Sequence, residues 1–270
     1  MSDLVSIEQQ GAVRHLVLNR PDKRNAFNRE LVLDLREAAR EAAEDSDTFC
    51  VVVEGEGPTF SAGIDLLQMG TLGAASDALR TFRRECIEMV NLLEEMPKPV
   101  VARIQGGCIG LGAELALACD LRVMADDVKF GLPEVKLGLI PDVGGSSRLP
   151  AVVGLGNAKE LIMTGRLIGA EECLRIGAAN RVAAVDRLDR ATDELVEELL
   201  AASPLASGYA KRVLDGVAKP TLAASLELEV SFQQTLVGSE DFQEAGAAYM
   251  EKREPRWTRR TPQVPQQERV

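Results

Sequence analysis

Gly106-Gly107-Cys108-Ile109-Gly110-Leu111-Gly112-Ala113-Glu114-Leu115-Ala116-Leu117-Ala118-Cys119-Asp120 is the stretch whose reading decides the fold. An apolar strand candidate, Val100–Ile104, runs into these glycines, and Leu111–Ala118 then has the composition of a short apolar helix. The first N–H groups of such a helix lack internal acceptors, and the helix dipole adds partial positive charge there. A turn of this kind suits an anion, whether a phosphate or charge developing on a carbonyl oxygen. Spacing separates the two. Gly107, Gly110 and Gly112 do not form G-x-G-x-x-G, and no G-K-[ST] is present, so dinucleotide-binding and P-loop readings fail.

A second loop has the same capacity. Phe60-Ser61-Ala62-Gly63-Ile64-Asp65-Leu66 follows a strand candidate at 50–54, and small residues before a glycine let the main chain turn tightly and aim an N–H outward. Alone, it reads equally as a plain turn. Together the two loops offer one amide each to a single carbonyl oxygen, as an oxyanion hole requires. Losing one such donor typically costs about 2.7–4 kcal/mol of transition-state stabilisation. A thioester carbonyl is a natural client, because charge drawn onto its oxygen acidifies the α-carbon and makes the β-carbon electrophilic.

Further strand candidates are Val13–Leu18, Leu121–Ala125 and residues 181–185. A helix follows Asn28, its N-cap, with Leu31, Leu35 and Ala38 on one face. A longer helix over 76–95 carries Leu79, Phe82, Cys86, Met89, Val90 and Leu93 at helical spacing and stops at Met96-Pro97-Lys98-Pro99. From about residue 187 the strand signal ends, and 193–200, 205–217, 222–236 and 241–252 read as helices. The third of these sets Leu222, Leu226, Glu229, Phe232 and Leu236 along a mostly apolar face. The chain therefore divides into an α/β core over 1–195, a helical region over 196–258 and a polar, Pro-rich tail over 259–270.

Composition removes several classes of function. A net charge of −11 disfavours a nucleic-acid surface, which needs clustered Lys and Arg. The single histidine, His15, excludes two-His metal sites and leaves acid–base chemistry to carboxylates. Cys50, Cys86, Cys108, Cys119 and Cys173 are odd in number and lack a CxxC pair, which suggests buried reduced thiols. No apolar run reaches the roughly 18–20 residues of a membrane helix, and MSDLVSIEQQ has no signal-peptide h-region. The expectation is a cytoplasmic protein without membrane or nucleic-acid partners.

With these residues in view, the chain resembles the crotonase (enoyl-CoA hydratase/isomerase) superfamily along nearly its whole length. The resemblance rests on Leu18-Asn19-Arg20-Pro21, Arg24-Asn25-Ala26-Phe27-Asn28, FSAGIDL, GGCIGLGAELALACD, FGLPEVKLGLIPDVGG, TGRLIGAEECLRIGAANRV and EDFQEAGAAYMEKR, in that order. It implies a ClpP/crotonase-like fold of repeated ββα turns, with a C-terminal helical region that builds homotrimers, often paired as hexamers. It implies an acyl-CoA thioester substrate and no metal or cofactor, since CoA arrives with the substrate. By the family pattern, the oxyanion donors match the backbone N–H groups of Ile64 and Leu111. Arg24, Ala26, Ala62, Ile64, Asp65, Leu66 and Leu67 match segments along the CoA path, Gly110 and Leu111 match substrate-binding positions, with the Leu111 side chain narrowing the acyl pocket, and Lys252 matches a lysine that approaches a CoA phosphate.

The carboxylates decide the reaction. Taken alone, Glu114 reads as a solvated glutamate near a helix N-terminus, and Glu134 as a solvated loop residue. Both match the paired glutamates of the hydratase pattern, and that reverses the reading. Glu114 is expected mainly to position water and Glu134 to exchange a proton at the α-carbon. Asp142 stands in Ile140-Pro141-Asp142-Val143-Gly144-Gly145, where typical hydratases carry glycine. It reads either as the cap of a helix opening at Val143 or Gly144, or as the third acid of dienoyl-CoA isomerases and carnitinyl-CoA dehydratase-like members. Enoyl-CoA hydratase is the expected activity, with such an isomerase or dehydratase as the alternative. A non-catalytic RNA-binding relative is a remote third, disfavoured by the acidic charge.

Overall fold

The computed structural model describes residues 4–67, 70 and 77–258; the tail expected at 259–270 and the start of the helix expected at residue 76 lie outside these described residues. Six strands form the main sheet in the order β1-β2-β3-β4-β6-β9: β1 Val5–Gln10, β2 Val13–Leu18, β3 Cys50–Gly55, β4 Val100–Ile104, β6 Leu121–Ala125 and β9 Arg181–Ala183. Only β1 and β2 pair antiparallel; every other neighbouring pair in this sheet is parallel. β3 and β4 are buried almost throughout, as parallel strands covered on both faces must be, and their sequences CVVVEG and VVARI are correspondingly apolar.

The smaller sheet is laid beside the first by the same segments. β5 (Gly107–Ile109) and β7 (Lys129–Gly131) pair parallel, and β8 (Ile168–Gly169) adds antiparallel. Ser61 forms an isolated parallel bridge to Cys108 that continues this sheet beyond β5. Each turn thus runs from a main-sheet strand to a short second strand and then a helix, as in β4, β5 and α3 (Leu111–Ala118). All eight residues of α3 are buried, which explains why its sequence is apolar on every face.

α1 (Arg29–Glu44) begins where expected, with Asn28 Oδ1 accepting from Leu31 N–H at 2.9 Å. α2 (Asp77–Glu95) buries all six of its expected apolar residues. α4 (Gly145–Val153) and α5 (Leu155–Thr164) follow the 3₁₀ turn Glu134–Leu137, and α6 (Ala170–Ile176) precedes β9. The helical region comprises α7 (Leu188–Leu200), α8 (Pro204–Ala218), α9 (Leu222–Val237) and α10 (Glu240–Glu251).

One expected face is shifted. The buried stripe of α9 is Leu226, Glu229, Gln233 and Val237, whereas Phe232 is 54% exposed. The apolar residues of this helix circle it, so periodicity alone does not mark the face that packs, which joins Leu226 and Val237 to two polar residues. No helix among the described residues is long and apolar enough to cross a membrane.

Candidate active site

A cleft of about 510 Å³ opens between the core and helices α2, α9 and α10, lined largely by apolar side chains and by Glu114, Glu134, Asp142 and Arg83. Two main-chain segments supply its amide edge. Phe27 N–H donates to Gly63 O at 2.7 Å, and Asp65 N–H donates to Phe27 O at 2.9 Å. In extended chain the intervening Ile64 N–H points to the opposite flank. That flank faces the β5–α3 turn: a Cβ placed on Gly63 would lie 2.6 Å from Ile109 O and 3.4 Å from Leu111 N.

Leu111 is the first residue of α3, so its N–H has no intrahelical acceptor. Gly110 before it has φ 55° and ψ −126°, a conformation open to glycine, and gives its own N–H to Gly131 O at 3.0 Å. Neither the Ile64 nor the Leu111 amide has an acceptor among the described residues. Both residues line the cleft.

The two glutamates enter this space from different elements. Glu114, in the first turn of α3, is 2% exposed, and its Oε1 accepts from Val143 N–H at 2.8 Å and Gly145 N–H at 2.9 Å. Glu134 begins the 3₁₀ turn after β7, and a Cβ on Gly110 would lie 3.1 Å from its Oε1, so this carboxyl adjoins the Leu111 amide. Its Oε2 is buried with no hydrogen-bond partner among the described residues. Burial pushes the Glu134 carboxyl up to about 8, with the Asp142 charge adding to the effect. Burial likewise raises Glu114 well above the usual carboxylate range, and the charges of Glu134, Asp142 and Glu229 act in the same direction.

Asp142 also lines the cleft, where it is ion-paired with Arg83 of α2. Burial raises its carboxyl to about 6 against the opposing pull of Arg83 and a hydrogen bond from Gln233. The capping role is not the one it plays. α4 starts at Gly145 with Gly144 at its N-cap and no capping side chain from its own loop. The amides at its start instead reach carboxylates distant in sequence: Val143 and Gly145 N–H donate to Glu114, and Gly144 N–H donates to Glu229.

Of the residues expected along the CoA path, Ile64, Leu66, Leu67 and Leu111 line the cleft, while Arg24, Ala26, Ala62, Asp65, Gly110 and Lys252 lie outside its wall. Arg24 is exposed in left-handed backbone, and its carbonyl accepts from Ala62 N–H at 2.9 Å. Asp65 pairs with Arg20 at 3.3 Å, and the Ala26 carbonyl accepts from the same guanidinium. Lys252 is exposed at the C-cap of α10. His15 is set against Glu54, its Nδ1 2.8 Å from Oε1.

Four residues of this neighbourhood escaped the sequence reading: Arg83, Arg148, Gln233 and the role of Glu229. Arg148 is fully buried, bonded to Glu94 at 2.8 Å, to Asn91 Oδ1 at 2.7 Å and to Val143 O at 3.1 Å. Glu229 carried the one available signal, a charged residue inside an apolar helical stripe. Among the described residues no His, Cys, Asp and Glu group is arranged to hold a metal ion.

Known proteins share this arrangement of chain. The sequence model of the enoyl-CoA hydratase/isomerase family matches residues 8–260. A probable enoyl-CoA hydratase of Mycobacterium tuberculosis is 33% identical over 96% of this chain and 99% of its own. An enoyl-CoA isomerase/hydratase of Mycosarcoma maydis is 35% identical over 91% of this chain and 92% of its own. Among solved structures, an enoyl-CoA hydratase from Mycobacterium avium subsp. paratuberculosis superposes with a TM-score of 0.85 at 27% identity, covering 94% of this chain and 98% of that one.

Proposed function

Because the chain belongs to the enoyl-CoA hydratase/isomerase family, we propose that it is an enoyl-CoA hydratase, adding water reversibly and syn across the double bond of 2-enoyl-CoA thioesters. One observation carries the reading. Two amides without acceptors among the described residues, from Ile64 and Leu111, edge the same cleft that receives the buried carboxyls of Glu114 and Glu134.

The thioester oxygen lies between the two N–H groups, which draw charge onto it as the enolate forms. Glu114 is the ionised member of the pair, because the N–H groups of Val143 and Gly145 on its Oε1 oppose the burial that raises it. It holds a water and takes its proton as the oxygen bonds to the β-carbon and the double-bond electrons move toward the α-carbon. Glu134, raised to about 8, is protonated near neutrality and delivers a proton to the α-carbon on the same face. The two carboxyls titrate as a pair, so proton re-equilibration between them and solvent restores the starting state. No cofactor is needed beyond the CoA carried by the substrate.

Crotonyl-CoA hydration, followed by loss of the conjugated thioester absorbance, tests this reading; absence of turnover across short and medium 2-enoyl chains would sink it. A second reading, favoured by Asp142 on the wall of the same cleft, is a double-bond isomerase or carnitinyl-type dehydratase that uses this aspartate as a further base. On a 3-enoyl or 3,5-dienoyl thioester Asp142→Asn then abolishes isomerisation, and full activity of that variant rejects it.

The core over 1–195 carries the cleft wall from α3 and the 134–143 segment, and the region over 196–258 supports assembly. Leu205, Tyr209, Val213, Leu214 and Val217 expose an apolar face on α8, which supports association with further copies of the chain; the assembly proposed is a homotrimer or dimer of trimers, and the compartment proposed is the cytoplasm.

A further inference from the structure

The buried stripe of α9 places Glu229 and Gln233 one helical turn apart, both about 4% exposed, against the segment 140–147. Gln233 Oε1 accepts from Ile140 N–H at 3.1 Å, and its side chain also hydrogen-bonds Asp142. Glu229 Oε2 accepts from Gly144 N–H at 2.8 Å, and its Oε1 accepts from the Ser147 hydroxyl at 2.5 Å. The two amides that flank Gly144, those of Val143 and Gly145, go to Glu114 Oε1. Three consecutive N–H groups are therefore divided between a carboxylate from the core and one from the C-terminal region.

Docking alone does not account for these side chains. Leu226 and Val237 already supply apolar burial on the same stripe, and taking a carboxylate out of water is costly unless its partners repay it. What Glu229 and Gln233 secure is the position of one turn. That turn bears Asp142 and holds the oxygen of Glu114.

We propose that Glu229 and Gln233 are positioning residues, a two-point clamp from α9 that fixes the 140–147 segment and through it the orientation of Glu114 and Asp142 in the cleft. The clamp rests on the hydratase reading above for its effect on turnover. It assigns the helical region a part in building the site. Displacement of a reacting group by about 1 Å can cost roughly 100-fold in rate, and it does so in kcat rather than in substrate binding.

The test compares kcat and KM for crotonyl-CoA hydration in the wild type, Glu229→Ala, Glu229→Gln and Gln233→Ala, with the thermal midpoint of each. Glu229→Ala is expected to lower kcat by about 100-fold with KM changed by less than about threefold. Glu229→Gln keeps an acceptor for Gly144 N–H and is expected to regain at least about tenfold of that loss. Gln233→Ala lowers kcat by about tenfold, and this variant set against Glu229→Gln carries the comparison if Glu229→Ala does not fold. A folded Glu229→Ala with kcat within about threefold of wild type overturns the clamp, as does a Glu229→Gln no better than Ala. Should the wild type itself hydrate no 2-enoyl thioester, the hydratase reading fails separately. The clamp is then judged by amide hydrogen exchange over 140–147, faster in Glu229→Ala and Gln233→Ala if it exists and unchanged if it does not.

Discussion

Gly63→Ala is the perturbation aimed most directly at the paired amides. Gly63 has φ +90°, and an added Cβ would meet Ile109 O at 2.6 Å, where ordinary contact begins near 3.4 Å. Neither atom is the tip of a flexible side chain, so the loop and the β5–α3 turn must part by about 0.8 Å. The strain falls between Ile64 and Leu111, since the same Cβ would stand 3.4 Å from Leu111 N. An oxyanion held by both donors then loses one, and such a loss lowers kcat by about 10²–10³-fold. A positive φ adds about 1–2 kcal/mol of backbone strain to the folded state.

Gly11→Ala separates these two effects. Gly11 has φ +59° with nothing within 4 Å of its added Cβ, so it bears the backbone strain without the collision. Both variants are expected to melt earlier than wild type, but only Gly63→Ala loses turnover of crotonyl-CoA, with KM nearly unchanged. If kcat of Gly63→Ala stays within about threefold of that of Gly11→Ala, the amides of Ile64 and Leu111 do not act together on one oxygen and the mechanism fails.

Three further outcomes follow from the same geometry. Glu134→Gln is expected to reduce hydration by about 10²–10⁴-fold, as measured by initial rates at saturating substrate. That variant also reports on stability. A carboxyl raised from 4.5 to about 8 contributes stability that is complete below 4.5 and lost as pH rises through about 8, so Glu134→Gln gains on the wild type between pH 5 and pH 8 in denaturant titrations. Arg148→Met leaves Glu94 buried with Lys219 as its one remaining charged partner among the described residues and is expected to cost about 3–5 kcal/mol in the same titration. All five cysteines are free and buried, and burial pushes Cys50, Cys119 and Cys173 up to about 12, so a thiol reagent at neutral pH should count them only after denaturation.

Segments whose pattern and environment agree were legible before the structure. α1 and α2 bury the residues that periodicity selects, because α1 packs one face against β1, β2 and α2, and α2 packs one face against α1 and α3. The strands of the main sheet that are buried on both sides carry long apolar runs. β1, an edge strand of sequence VSIEQQ with four exposed residues, carries no such run and was not anticipated. Nor were β5, β7 and β8: β5 lies inside the glycine turn, and β7 and β8 are short and, unlike β9 within residues 181–185, belong to no longer β-type run. The site divides the same way. The glycine turn and the two glutamates lie in contiguous motifs, whereas Arg83, Arg148, Glu229 and Gln233 reach the cleft or its supporting turn only through tertiary packing. An arginine within an amphipathic helix reads as a surface residue, and nothing local tells that Arg148 is fully buried.

That packing bears on how the chain's two regions cohere. The segment 140–147 touches α3 through Glu114, α9 through Glu229 and Gln233, and α2 through the Arg83–Asp142 pair. Arg148 continues the linkage, holding Val143 O while its guanidinium bonds Glu94 near the end of α2, and Lys219 from the helical region reaches the same Glu94. A helical region that docked only through apolar faces could detach, removing one wall of the cleft, and still leave Glu114 and Asp142 held as they are. Here its removal would expose Gly144 N–H, uncover the Asp142 side and leave Glu94 and Arg148 in altered surroundings, so the site and the helices that cover it should open together. Local opening of α9 and loss of the site are then one event, with one free energy. A helical region that exchanges its amides far faster than residues 140–147 would show the two to be separate.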